Sequence, residues 1–237
     1  MSPYYQDEQV TLYLADSMDV MREMDAASVQ VVITDLPYSS NTHQHAMSTE
    51  GTGLPHQAIE FDSMTQDECS AALSECGRVT SGWVIATLEW HYAAAFDKEP
   101  PAGLRSLRVG VWVKTSTTPQ ISGDRPAMGW EAISYLHRSD KAPKWNGGGK
   151  AGNFILNAER KQGHPTAKPM ALAGRFIDWF SAPGDTVFDP FAGSGTTLIA
   201  AKQAGRRAIG VEINEAYCEL AVSRLAQGTL FGVGEVG

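Results

Sequence analysis

The run Val31-Val32-Ile33-Thr34-Asp35-Leu36-Pro37-Tyr38 constrains this chain more than any other stretch. Three β-branched apolar residues lead straight into an acid, and a proline and an aromatic then halt the strand. A short apolar run of this kind reads as a parallel strand buried on both faces. Open α/β sheets gather their ligands just past the carboxyl ends of such strands. Asp35, Leu36, Pro37 and Tyr38 are therefore expected at the rim of a pocket, where they offer an acceptor, a rigid backbone and a π face.

The rest of the chain alternates strands with helices around that run. Residues 9–16 alternate apolar and polar and read as an edge strand ending at Asp16, where Asp16 or Ser17 can cap a helix through Met24. Thr65 to Arg78 is a helix, with Thr65-Gln66-Asp67-Glu68 as a cap-like start and Gly77 as its stop. Strands follow at Trp83 to Leu88, Leu107 to Lys114 and Glu131 to His137. Ser, Thr, Pro and Gly mark 115–129 as loop, and Arg138 to Gly163 reads as a second loop. Ala171 to Phe180 is an amphipathic helix. Thr186 to Asp189 is a strand, Thr196 to Ala204 a helix, Ala208 to Glu212 a strand ending in an acid, and Asn214 to Leu225 the last helix. This alternation predicts one doubly wound, mainly parallel α/β sheet.

Composition narrows the class. A chain of 237 residues with 43% hydrophobic and 19% charged residues suits a single globular domain, residues 1–237. No run approaches the roughly 18 consecutive apolar residues of a membrane span. The N-terminus lacks the basic start and apolar core of a signal peptide, so a cytoplasmic protein is expected. Cys69, Cys76 and Cys218 keep no metal-ligand spacing and read as inert thiols; no metal is expected.

The net charge of -8 is unevenly spread. Residues 101–175 hold twelve Lys/Arg and four acids, a balance of +8, against 7 minus 23, or -16, elsewhere. A basic segment in an acidic protein gives phosphate one face to meet. The basic residues of and around 114–163, namely Lys114, Arg125, Lys141, Lys144, Lys150 and Lys161, are expected to contact DNA, with Trp145 interleaved. The bland alternative is a solvated loop with a chance charge bias. Residues 39–58 form a long polar loop behind the central strand and are expected to act as a lid. His43, His45 and His56 in it lack ligand spacing.

Three motifs carry a resemblance. Asp35-Leu36-Pro37-Tyr38 resembles the Asp-Pro-Pro-Tyr motif of amino-group DNA methyltransferases. Phe188-Asp189-Pro190-Phe191-Ala192-Gly193-Ser194-Gly195-Thr196-Thr197 resembles their S-adenosylmethionine loop. His164-Pro165-Thr166-Ala167-Lys168-Pro169 is similar to their His-Pro-Thr-Gln-Lys-Pro element. The order, with the Asp35 motif ahead of the cofactor loop, is that of the circularly permuted beta class, and the resemblance spans Gln9 to Leu225. It implies a Rossmann-like methyltransferase sheet and S-adenosylmethionine as cofactor. Leu36 and Ala167 depart from the usual Pro and Gln; neither change removes a carboxylate or the aromatic.

The resemblance also implies roles. Asp35 and the Leu36 carbonyl accept from the exocyclic amino group, and Tyr38 stacks on a base that has left the duplex. Asp189, Phe191, Ala192, Gly193, Ser194, Gly195, Thr196 and Thr197 hold the cofactor, with Thr166, Lys168 and Pro169. Glu212 lies 17 residues past Gly195 and matches the spacing of a ribose-binding carboxylate, with Ile213 beside it; a structural acid is the alternative. Asp16 is a cofactor-amino acceptor or only a helix cap.

An aspartate at the head of the tetrapeptide favours N6 of adenine in duplex DNA, because cytosine-N4 relatives more often have Ser there. Cytosine-N4 methylation and methylation of RNA or protein glutamine are the alternatives, the last opposed by motif order. The small recognition segment implies a short or relaxed target. The tail 226–237 is expected to be flexible. Its Gln227-x-x-Leu230-Phe231 spacing resembles the peptide that docks on bacterial sliding clamps; folding back on the enzyme's own surface is the bland alternative.

Overall fold

The structure, a computed structural model, describes residues 1–37, 64–115, 123–157 and 168–228. Among these a nine-stranded sheet runs in the order β1-β2-β9-β8-β3-β4-β6-β5-β7. The strands are β1 (Tyr5–Gln6), β2 (Val10–Leu14), β3 (Val29–Asp35), β4 (Thr80–Leu88), β5 (Leu104–Lys114), β6 (Trp130–Arg138), β7 (Asn153–Leu156), β8 (Thr186–Asp189) and β9 (Arg207–Glu212). The helices are α1 (Ser17–Glu23), α2 (Gln66–Val79), α3 (Trp90–Lys98), α4 (Met170–Phe180), α5 (Thr196–Gln203) and α6 (Glu215–Gly228).

The two faces of the sheet are covered by different halves of the chain. Val32, Val84 and Phe188 pack with Met21 of α1, Leu73 of α2 and Phe96 of α3. Val31, Ile33 and Val187 pack with Phe176 of α4, Leu198 of α5 and Ala221 of α6. The period of two along each strand sends alternate residues into the two clusters, which is why the central strand needs a continuous apolar run. Strands β2, β9, β8, β3 and β4 are parallel to one another, whereas β6 runs antiparallel to β4 and β5. The chain is wound outward from the adjacent strands β3 and β8, so their carboxyl ends form the switch-point crevice.

Local chemistry sets the helix ends. Asp16 caps α1 by accepting from the amides of Met18 (2.7 Å) and Asp19 (3.3 Å). Thr65 and Glu68 form a reciprocal capping box at α2.

Four expectations are corrected. Strand β2 is not an edge, because β1 pairs outside it antiparallel. Gly77 does not stop α2 but lies within it, where a Cβ would stand 2.9 Å from Leu104; the helix needs a bare backbone for that close approach. The second loop, Arg138 to Gly163, contains β7, which pairs parallel with β5. The last helix runs on to Gly228, past the expected start of the tail. The lid stretch 39–58 and Leu230-Phe231 lie outside the described residues. No helix among the described residues is long and apolar enough to cross a membrane.

Candidate active site

Asp35 ends β3, the central strand, and β4 places Thr87 directly beside it in the parallel register. The Thr87 hydroxyl donates to Asp35 Oδ1 at 2.7 Å. The Lys168 ammonium donates to Asp35 Oδ2 at 2.6 Å. Lys168 also lies 3.0 Å from Glu131 Oε2, and Lys114 lies 2.6 Å from Glu131 Oε1. Two lysines and two carboxylates thus alternate across the crevice with no net charge.

The topology explains how residues so far apart meet. Because β6 is antiparallel, its first residues lie at the sheet edge where β3, β4 and β5 end. Trp112 is in register with Glu131, and Lys114 closes β5 alongside. Lys168 immediately precedes Pro169, the N-cap of α4. Burial is the largest influence on Asp35 and raises its pKa; the Lys168 charge opposes this, and Glu131 adds to it. An isolated carboxylate here would take up a proton. Lys168 and the Thr87 hydroxyl favour the ionised form and so oppose that uptake.

Neighbouring β8 ends in Asp189, which is 3% exposed. It accepts from the Phe191 amide at 3.2 Å and from the Thr197 hydroxyl. Burial pushes its pKa up to about 7 against these hydrogen bonds, and the Asp35 charge pushes it further the same way.

The glycine loop follows. Gly193 donates its amide to Glu212 Oε2 at 2.8 Å, and Asn214 donates to Oε1 at 2.9 Å. Gly195 has φ +78 and caps α5; a Cβ there would meet that of Ala221 at 2.9 Å. The second glycine thus serves a left-handed turn and the packing of α6. Ala192, Ser194 and Thr196 are buried, Phe191 and Thr197 half-buried. Arg224 of α6 grips this loop, donating to the Ser194 carbonyl, the Ser194 hydroxyl (2.7 Å) and the Thr196 hydroxyl (3.2 Å).

Glu212 ends β9 opposite Leu14 of β2, so Asp16 stands at the same edge. Glu212 is 6% exposed, and its carboxylate accepts from the backbone amides of Gly193, Asn214 and Ile213. A carboxylate has about four acceptor positions, so capacity remains for a ribose hydroxyl. Ile213 beside it is 69% exposed, an apolar surface suited to a flat ring. This donor and acceptor set fits S-adenosylmethionine. Leu36 is buried and donates its amide to the Thr87 carbonyl at 3.1 Å, which fixes the turn that a first proline would otherwise stiffen.

Two of the lysines expected at ligands have partners within the protein. The resemblance gives Lys168 to the cofactor, but its ammonium meets Asp35 and Glu131. Lys114, expected on phosphate, pairs with Glu131 and lies over the Trp112 ring at 5.1 Å. Arg125, Lys141, Lys144 and Lys150 are exposed. Trp145 stacks on Phe180 at 5.9 Å and so ties its loop to the core. Tyr38, Lys161 and Thr166 lie outside the described residues. Glu131, Thr87 and Arg224 carry no motif; the only clue to Glu131 is an acid at the head of an otherwise buried strand.

The family model described as DNA methylase, of N6/N4 methyltransferases, matches residues 29–223. The chain belongs to this family of amino-group DNA methyltransferases. The methylase is 26% identical to the type II methyltransferase M2.LlaDCHI of Lactococcus lactis subsp. cremoris, over 98% of this chain and 94% of that one. It is 25% identical to TTHA0409 of Thermus thermophilus, solved with S-adenosyl-L-methionine, with a TM-score of 0.67 over 92% of this chain and 93% of the other. It superposes on the cytosine-N4-specific PvuII DNA methyltransferase with a TM-score of 0.72 at 16% identity, over 94% and 88% of the two chains, a likeness of fold. Nothing in these likenesses supports a sliding-clamp partner. The three cysteines of the methylase are buried, and burial pushes Cys69 and Cys218 up to about 12, far from thiolate chemistry.

Asp189 makes a pH prediction. Its pKa is raised from 3.8 to about 7, so its protonated form stabilises the fold fully below about pH 4, and that contribution is lost as pH rises through 7. Asp189→Asn cannot ionise and keeps an acceptor for the Phe191 amide. The melting temperature of the variant relative to the parent should rise from pH 5 to about pH 7 and level off above it. A constant difference would mean that Asp189 does not titrate there.

Proposed function

We propose that the protein is an S-adenosylmethionine-dependent DNA methyltransferase acting on the exocyclic N6 of an adenine flipped out of the duplex. The observation that carries this reading is Asp35, an acceptor held by Lys168 and Thr87 at the switch point of the sheet. The aromatic Tyr38 follows it in sequence. The likeness to TTHA0409, solved with the same cofactor, supports the choice of methyl donor.

S-adenosylmethionine supplies, when bound, a methyl carbon on a sulfonium that leaves as a neutral thioether. The acceptor amino group is a weak nucleophile, because its lone pair is delocalised into the ring. Asp35 accepts one of its N–H bonds and the Leu36 carbonyl the other. Both interactions favour a pyramidal nitrogen and strengthen as positive charge develops on it. The proton leaves the nitrogen after the new N–C bond forms and passes to solvent. Tyr38 stacks on the base and Pro37 restricts the turn, so most of the rate comes from alignment. Glu212 takes the ribose hydroxyls, Ile213 and Asp16 border the adenine end, and the Asp189–Thr197 loop borders the donor, with Thr166 and Pro169. Lys141, Lys144, Lys150, Arg125 and Lys161 meet phosphate. Duplex DNA with a short target is the substrate.

Cytosine-N4 methylation is the second reading, and the fold shared with the cytosine-N4-specific PvuII enzyme favours it. Purified protein, labelled cofactor and duplex DNA separate the two. Mass analysis of hydrolysed DNA should return N6-methyladenine; N4-methylcytosine alone would replace this reading with the second.

The roles separate as well. Asp35→Ala should abolish turnover with cofactor affinity close to that of the parent. Glu212→Ala should weaken the cofactor by about 1–3 kcal/mol, the cost of unpaired buried groups. Calorimetric titration distinguishes them, and equal losses of affinity would contradict the assignment.

A further inference from the structure

The sequence marks Asp35 and Lys168, but the structure adds a third and a fourth group behind them. Lys168 lies between two carboxylates, 2.6 Å from Asp35 and 3.0 Å from Glu131. Lys114 holds the far oxygen of Glu131 at 2.6 Å. Glu131 is 13% exposed and Lys168 12% in their side chains, so the charges interact through protein more than through water. A single ammonium shared by two acids neutralises each incompletely. The same ammonium given to one acid would neutralise it well.

We propose that Glu131 is a positioning residue that shares the Lys168 ammonium with Asp35 and so sets how much negative charge Asp35 presents to the acceptor amino group. The proposal rests on the methyltransferase reading above and deepens it. Glu131 need not touch substrate; it acts through Lys168. Lys114 completes the arrangement by holding Glu131 in place and balancing its charge, so that the four groups sum to zero.

The electrostatic consequences have a definite sign. Facing Asp35 among the described residues are Thr87 of β4, Glu131 of β6, Asp189 of β8 and Lys168 ahead of α4, with Lys114 of β5 behind Glu131. Glu131 raises the proton affinity of Asp35 and Lys168 lowers it. Replacing Glu131 by Gln removes a negative neighbour and leaves Lys168 wholly to Asp35. The carboxylate then gives up its proton more readily, but it is also a weaker acceptor. The acid limb of activity moves down while the plateau falls. A merely structural role for Glu131 would move neither in this paired way.

The test is the pH profile of kcat, with cofactor and duplex DNA saturating, for the parent, Glu131→Gln and Glu131→Asp. Glu131→Gln should shift the acid limb down by about one pH unit and lower the plateau by about tenfold. KM for cofactor and for DNA should stay within about twofold, because uniform binding is untouched. Glu131→Asp keeps the charge and should restore most of the plateau and the parent limb. It also supplies the reading should the Gln variant fail to fold, which melting temperatures reveal: an Asp variant with a collapsed plateau overturns the proposal. An unmoved or upward-shifted limb in a folded Gln variant, or a loss carried by KM, overturns it too. An inactive parent on DNA overturns the functional reading and this role with it, whereas an active parent with an unresponsive Glu131→Gln overturns the role alone.

Discussion

The ion pair between Asp35 and Lys168 is the interaction on which the chemistry of this site depends. The Asp35 side chain keeps 29% of its surface exposed and loses the rest of its hydration, which favours the protonated form. As a protonated acid it would offer a hydrogen where the proposed reaction needs a lone pair. Lys168 supplies the opposing charge at 2.6 Å, and Thr87 supplies a hydroxyl at 2.7 Å. Each leaves the carboxylate with acceptor capacity, since two oxygens carry about four acceptor positions.

The sheet is arranged so that this pair can exist. Strands β3 and β8 end side by side, and the chain winds away from them in both directions, which opens a crevice between Asp35 and Asp189. To one side, along β8 and β9, Glu212 and Arg224 hold the glycine loop through Gly193 and Ser194. To the other, along β4 and β6, lie Thr87 and Glu131. Antiparallel β6 is what brings an acid from the beginning of a strand to an edge otherwise built from strand ends. A purely parallel sheet would have put Glu131 at the opposite edge.

Much of this was legible in the residues. The apolar runs ending in Asp35, Asp189 and Glu212 fixed three strands to within a residue or so, because a strand buried on both faces leaves no other pattern. The capping chemistry of Asp16 and of Thr65 with Glu68 was likewise local and readable. What could not be read depended on pairing at a distance. Helix α3 begins at Glu89, whose side chain makes no capping hydrogen bond, so its start leaves no signature. Strand β7 is four residues long and buries only Phe154 against the core, too little alternation to distinguish it from loop. Gly77 looked like punctuation because nothing nearby in sequence reveals Leu104. The partnership of Lys114 with Glu131 follows from the β5–β6 register, which no motif encodes.

Lys168 opposes the effect of burial on Asp35, and the carboxyl group can be observed directly. In protein carrying carbon-13 aspartate, with Asp35→Asn to identify the resonance, the titration midpoint of Asp35 can be compared between the parent and Lys168→Gln. Loss of the ammonium should move that midpoint upward by about one pH unit or more, since burial and Glu131 would then be opposed only by the Thr87 hydrogen bond. A midpoint that stays where it was, or that falls, would contradict the claim that this ion pair sets the state of the site.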